Sequence, residues 1–128
     1  MLEPELLKFT TSHEWVSLDG DEAVIGLSDF AVQALTDLVH VELPSVGSVL
    51  KAGRSFGVVE SVKSANDLNS PINGVVVDIN SELPGHLDWA SEDPFGKGWL
   101  VKAQITNEDG VEKLMSLEQY REYCKTAH

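Results

Sequence analysis

The sequence predicts a mainly β domain with a few short helices, and three observations carry that prediction. From about residue 8 to residue 105 the apolar residues fall in short runs separated by Gly, Pro, Asn and Asp, which is how strands joined by tight turns read. The run 38–43 alternates, with Val39, Val41 and Leu43 on one side and Leu38, His40 and Glu42 on the other, the period of a half-buried strand. After Thr106 the pattern becomes acidic and helix-like.

Taken in order, residues 13–17 lead through Leu18-Asp19-Gly20-Asp21 into Ala23-Val24-Ile25-Gly26-Leu27, a hairpin. Ser28 or Asp29 caps a short helix that sets Phe30, Ala34 and Leu35 on one face. Pro44 ends the strand 38–43. Further strands are read at 49–50, 56–61 and 74–79, and the turn Asp93-Pro94-Phe95-Gly96-Lys97-Gly98 feeds Trp99-Leu100-Val101 into another. Residues 107–115 read as acidic helix. Ser116-Leu117-Glu118-Gln119 has capping-box spacing for a last helix with Leu117, Tyr120 and Cys124 on its buried stripe. Val46-Gly47-Ser48-Val49-Leu50 echoes Ile72-Asn73-Gly74-Val75-Val76, and two such halves folding onto each other place the segment between them at an exposed hairpin tip.

The 128 residues suit one domain over 1–128, with a core at about 8–105 and a helical C-terminal segment at about 107–125. Apolar residues make up 42% and charged residues 23%, enough to build a core without staples. Cys124 is the only cysteine, so no internal disulfide forms. No apolar run approaches the roughly 18 residues of a membrane span, and the N-terminus has neither a signal-peptide pattern nor an Arg-rich transit pattern. These features lead to the expectation of a soluble, cytoplasmic chain, with a processed mitochondrial form also open.

Twenty-one acidic against nine basic residues give a net charge of −12. That field repels phosphate backbones and anionic lipid, so neither nucleic acid nor membrane is an expected partner. It favours a monomer and steers the chain toward basic patches on other proteins, although solubility alone also accounts for it. Enzyme signatures are missing. The histidines at 13, 40, 86 and 128 have no metal-ligand spacing with each other or with Cys124. No Gly-x-Ser-x-Gly elbow occurs, and Gly96-Lys97-Gly98 lacks the length and Ser/Thr of a P-loop.

The remaining candidate is Gly57-Val58-Val59-Glu60-Ser61-Val62-Lys63-Ser64-Ala65-Asn66-Asp67-Leu68, in which 58–61 can pair with 65–68 and leave Val62-Lys63 near the bend. Lysine is protonated at neutral pH, so uncatalysed acylation there is slow and a dedicated ligase must recognise the hairpin. By itself, a lysine at a turn is most often only a solvated side chain.

Glu60-Ser61-Val62-Lys63-Ser64-Ala65 resembles the lipoylation hairpin of glycine cleavage H proteins. Glu60 lies three residues before the lysine, Gly74 eleven after it and Gly47 sixteen before it, where lipoyl carriers typically have Glu, Gly and Gly. His13-Glu14-Trp15-Val16, Val41-Glu42-Leu43-Pro44-Ser45-Val46-Gly47 and Asp93-Pro94-Phe95-Gly96-Lys97-Gly98-Trp99 are similar to further family segments in the same order. Departures are Thr36 for the usual Gly, His40 for a frequent aromatic, and Leu87 and Ser91 for Pro and Asn, leaving Pro84 to turn the chain. Biotin carriers place the lysine in Met-Lys-Met, and the lipoyl domains of 2-oxoacid dehydrogenases usually read Asp-Lys-Ala. Val62-Lys63-Ser64 matches neither.

The resemblance implies a barrel-sandwich hybrid of the lipoyl/biotinyl-like kind, with two antiparallel sheets and short helices, including C-terminal ones. It implies a non-catalytic carrier with lipoic acid joined covalently to Lys63 by a lipoate ligase or lipoyl transferase, with Glu60, Gly74 and Gly47 in ligase recognition. Its arm would accept the aminomethyl group of glycine from a pyridoxal-phosphate glycine decarboxylase. It would present that group to a tetrahydrofolate-dependent aminomethyltransferase and be reoxidised by dihydrolipoamide dehydrogenase. A surface cleft lined by Ser12, Glu14 and Asp67 would shelter the loaded arm, the carboxylates suiting a cationic methylamine. Glycine catabolism and storage of lipoyl groups both remain open as the main role.

Overall fold

The computed structural model describes residues 3–35, 37–109 and 111–126. Thr36 and His128, singled out above, lie outside them. Strand β1 (Lys8–Phe9) pairs with β2 (Glu14–Asp19), which returns through Gly20-Asp21 into β3 (Glu22–Leu27), with Asp19 opposite Glu22. Helix α1 (Asp29–Leu35) follows, capped by Ser28, whose Oγ accepts from the Ala31 N–H at 3.1 Å. Then come β4 (Leu38–Glu42), β5 (Val49–Leu50), β6 (Ser55–Ser61), β7 (Ala65–Asn69) and β8 (Asn73–Ile79). A short helix α2 (Asp88–Glu92) and the turn around Asp93 lead into β9 (Val101–Asn107), and α3 (Leu117–Thr126) closes the described chain.

All pairings are antiparallel. One sheet has the order β1-β2-β3-β9-β8-β5 and the other β4-β6-β7, so the fold is mainly β with two antiparallel sheets and short helices, as expected. The inward sides meet in one core: Val16, Ile25, Val76, Val101 and Ala103 from the larger sheet, Val41, Val59 and Leu68 from the smaller. A second apolar cluster gathers Leu7, Phe9, Trp15, Phe95 and Tyr120, and it seats α3. In it Phe9 stacks on Tyr120 with ring centroids 4.6 Å apart. Among the described residues no helix is long and apolar enough to cross a membrane.

Several expectations hold in detail. The two echoed segments pair with each other as β5 and β8, Val49 opposite Val75 and Leu50 opposite Gly74. The capping box forms reciprocally, Ser116 N–H to Gln119 Oε1 at 2.9 Å and Gln119 N–H to Ser116 Oγ at 3.2 Å. Two expectations need correction. The alternation of 38–43 is broken by a bulge between Leu38 and His40, which leaves Val39 exposed while Val41 stays buried. Among the described residues of 107–115 there is no α-helix: β9 runs on to Asn107, opposite Asn73, and a 3₁₀ turn at Val111–Lys113 follows. In α1 Ala31 and Val32 are buried, while Leu35 packs partly buried against the core and Phe30 against the second cluster.

Candidate functional site: a lysine hairpin beside a cleft

The hairpin of β6 and β7 runs from Gly57 opposite Leu68 to Glu60 opposite Ala65. Beyond it Ser61 faces Ser64 rather than Ala65, its N–H donating to the Ser64 carbonyl at 2.8 Å, so Val62 and Lys63 are the two tip residues. The Ser61 side chain is buried and organises the turn. Its Oγ accepts from the Lys63 N–H at 3.3 Å and the Ser64 N–H at 3.2 Å, a local hydroxyl–backbone motif suited to turns. The Val62 N–H donates to the Asp37 carbonyl at 3.1 Å, tying the tip to the segment before β4. Lys63 is exposed, and its Nζ makes no ion pair or hydrogen bond among the described residues. Glu60 is half-buried, opposite His40 on one side and Ala65 on the other.

Gly74 lies in β8 of the other sheet and Gly47 in the turn before β5, and each has a backbone reason to be glycine. Gly47 holds φ +95° and donates to the Val76 carbonyl at 2.8 Å, a conformation side chains disfavour. A Cβ on Gly74 would sit 2.4 Å from the Gln104 carbonyl oxygen.

A cleft of about 430 Å³ opens beside β7. One wall is apolar, made by Leu27, Phe30, Ala34 and Leu35; the other carries Ser12, Asn66, Asp67 and Asn69. Phe30, Ala34 and Leu35, read from the sequence as one face of α1, all line this cleft. Ser12 and Asp67 line this cleft. Glu14 does not: it is fully buried behind the wall. Its Oε1 accepts from Thr10 Oγ1 at 2.6 Å and Ser12 Oγ at 2.5 Å, and its Oε2 accepts from the Asn69 N–H at 3.0 Å. Burial pushes its pKa above the ordinary glutamate value, outweighing those hydrogen bonds, which pull it down. Both faces of β2 are covered at this point, with Glu14, Trp15 and Val16 all buried, so strand alternation leaves no exposed side for the carboxylate.

The sequence reading missed a second group of residues. His13, at φ +75°, lines the cleft and shares a 2.8 Å hydrogen bond between its Nδ1 and Tyr120 Oη. Tyr120 Oη also bonds Ser28 Oγ at 2.5 Å, and Arg121 grips Asp29 through two contacts of 2.9 and 3.0 Å. Helix α3 thereby holds α1, the apolar wall, in place. Burial raises the Tyr120 pKa well above its usual value, with Cys124 and Asp29 adding to the rise. The one available signal was the pairing of His13 with an aromatic helix stripe, which periodicity alone does not connect.

The fold and site define a protein of two antiparallel sheets, one of which presents an exposed lysine on a two-residue tip beside a half-apolar cleft. The chain matches the family model described as glycine cleavage H-protein over residues 7–127. It is 48% identical to the glycine cleavage system H protein of Carboxydothermus hydrogenoformans over 117 residues, covering 91% of this chain and 90% of that one. It is 43% identical to the mitochondrial glycine cleavage system H protein 2 of Arabidopsis thaliana, covering 93% and 76%. The crystal structure of a glycine cleavage system H protein from Mycobacterium marinum superposes with a TM-score of 0.82 at 34% identity, covering 98% of each chain. The chain belongs to the glycine cleavage H-protein family.

Proposed function

We propose that this chain carries lipoic acid as an amide on Lys63 and moves it among the enzymes of the glycine cleavage system. One observation carries the reading: the tip lysine is exposed and unpartnered among the described residues, on a turn that Ser61 fixes from within. The residues present fit the group. An amide on Nζ removes one positive charge and breaks no contact made by the described residues. The cleft beside the hairpin offers an apolar wall for a chain of methylenes and a polar wall for what it carries.

When bound, a lipoyl group supplies a dithiolane that takes up electrons and a one-carbon fragment. The chain's own residues position and protect. Ser61 holds the tip rigid. Asp67 presents a carboxylate in the cleft, which favours a cationic cargo through a charge-assisted hydrogen bond screened in proportion to its exposure. Ser12 adds a hydroxyl on the same wall, while Glu14 acts from behind by fixing Ser12 and Asn69. The expected partners are the pyridoxal-phosphate decarboxylase, the tetrahydrofolate aminomethyltransferase and dihydrolipoamide dehydrogenase, with a lipoate ligase or lipoyl transferase reading the hairpin around Glu60. In this reading the chain is a carrier subunit and does no catalysis of its own, and residues 1–128 act as one domain.

The test is intact mass after incubation with lipoate, ATP and a lipoate ligase. One lipoyl amide is expected, mapping to Lys63 and absent from Lys63→Arg. Modification that persists in that variant, or maps to Lys51 or Lys97, refutes the reading.

A further inference from the structure

Lys63 is not the only residue the tip presents. Val62 beside it is 69% exposed, and Val39 is 54% exposed. Their backbones set them side by side. Leu38 is the partner of Ser61, and the Val62 N–H reaches the Asp37 carbonyl, so Val62 lies opposite Asp37 with Val39 two residues further along β4. Both are exposed, on neighbouring segments at the tip end of the smaller sheet. The bulge at Leu38–His40 is what frees Val39 from inward alternation. Single exposed apolar residues are ordinary; two of them next to a projecting lysine, Val62 tied to the Asp37 carbonyl by its N–H and Val39 held out on a bulge between the paired residues Leu38 and His40, are a preformed contact surface.

Its rim is acidic. Asp37 adjoins Val62, Glu60 is the partner of His40, and Glu42 lies two pairs further on, opposite Val58. Strands β4, β6 and β7 contain no Lys or Arg, so Lys63 is the cation this face offers. A second copy of the chain would bring the same carboxylates and the same net charge of −12 against it, which like-charge repulsion opposes.

We infer that Val62 and Val39 form the apolar centre of the docking surface for the enzyme that acylates Lys63, an enzyme that meets it with an apolar socket rimmed by Lys or Arg. The inference rests on the assignment of Lys63 as the lipoyl site. Because Ser61 and the Asp37 carbonyl already fix the tip, docking pays little ordering entropy, and a short apolar anchor suffices to seat the lysine at a reacting centre.

The test uses the full apo chain with Val39→Ser, Val62→Ser, the double variant, and Val62→Thr, which keeps the side-chain shape. Initial rates of lipoylation by a lipoate ligase with ATP and lipoate are followed by intact mass across acceptor concentrations, with thermal unfolding as a check on the fold. The double variant is expected to lose about tenfold or more in kcat/KM, as central apolar anchors do on truncation. The loss should lie in KM, with the melting temperature unchanged, and Val62→Thr should reproduce part of it. Added salt should lower kcat/KM for every form alike. Unchanged kcat/KM in the double variant, with the wild type acylated normally, overturns the surface and leaves Lys63 standing. Wild type that is never acylated overturns both. A wild-type dimer that the substitutions dissociate gives the face to a second copy and overturns the inference.

Discussion

Replacing Glu14 separates a residue that touches cargo from one that braces the cleft. Glu14→Ala removes a fully buried carboxylate that accepts from Thr10 Oγ1, Ser12 Oγ and the Asn69 N–H. Ser12 is exposed and Thr10 half-buried, so both hydroxyls recover water. The Asn69 N–H is aimed at the buried carboxylate; losing that acceptor costs about 1–3 kcal/mol, with roughly 0.8 kcal/mol more for the lost methylene. Relief from burying a charge offsets part of this, giving a net loss of about 1.5–3 kcal/mol, or about 6–12 °C in Tm for a chain of this size. Glu14→Gln should lose much less, because its carbonyl still accepts from Asn69 and the two hydroxyls can turn to accept from its amide. The pH dependence adds a signed check. The folded-state pKa of Glu14 is raised by burial, so on acidification the folded protein takes up this proton before the unfolded chain does. Wild-type stability relative to Glu14→Gln should therefore be lowest at neutral pH. It should rise as pH falls from the raised value to the ordinary glutamate value. Urea unfolding of both variants over a pH series measures this. A Gln variant as damaged as the Ala variant, or a wild-type advantage that shrinks on acidification, would refute the brace.

Three further outcomes are expected. Ser61→Ala should cost about 1 kcal/mol and speed amide exchange at Lys63 and Ser64, whose N–H groups lose their acceptor; unchanged exchange there would show that the turn holds itself. Gly74→Ala should destabilise by about 1–3 kcal/mol, since its Cβ would meet the Gln104 carbonyl at 2.4 Å. If the folded fraction is still acylated at the normal rate, Gly74 serves the fold and not the ligase. Tyr120→Phe should cost about 1–2 kcal/mol and shift the His13 ring resonances, because it deletes the hydroxyl joining His13 to Ser28; silent His13 resonances would break that link.

The parts legible in the sequence are those set locally. Gly20-Asp21 between apolar runs gives the first hairpin, Ser116 and Gln119 give the last helix, and Gly47 with Gly74 marks two strands that pair. Lys63 at a tip followed from the same turn logic, to within the one-residue change that sets Ser61 against Ser64. What failed depended on neighbours distant in sequence. Val39 follows the alternation on paper, but a bulge against β6 turns it outward. Residues 107–115 carry helix-like acids, yet the ladder with β8 keeps Asn107 in a strand. Glu14 reads as a surface acid because carboxylates usually are. It is buried because Thr10, Ser12 and Asn69 supply three donors at a point where both faces of β2 are covered. No periodicity records that convergence.

The proposed anchor and the proposed dock belong to one hairpin, and this constrains how tightly the arm is held. Lys63 sits at the tip, and Asp67 and Asn66 stand on the returning strand that lines the cleft. An arm folding back therefore pays no loop-closure cost beyond its own rotors, and its local concentration at the cleft is high whatever the protein concentration. The contact it gains is modest. With Glu14 fully buried behind the wall, Asp67 is the carboxylate left facing the cleft, and it is exposed. A charge-assisted hydrogen bond of about 1.5–3 kcal/mol before screening is comparable to the entropy of ordering a long flexible chain, roughly 0.5–1.5 kcal/mol for a rotamer-rich side chain and more for a longer one. The two terms nearly cancel. A carrier needs that balance: an arm held by both acids in a closed site would be sheltered and never released, whereas one open carboxylate retains a cationic cargo until a partner's active site offers more.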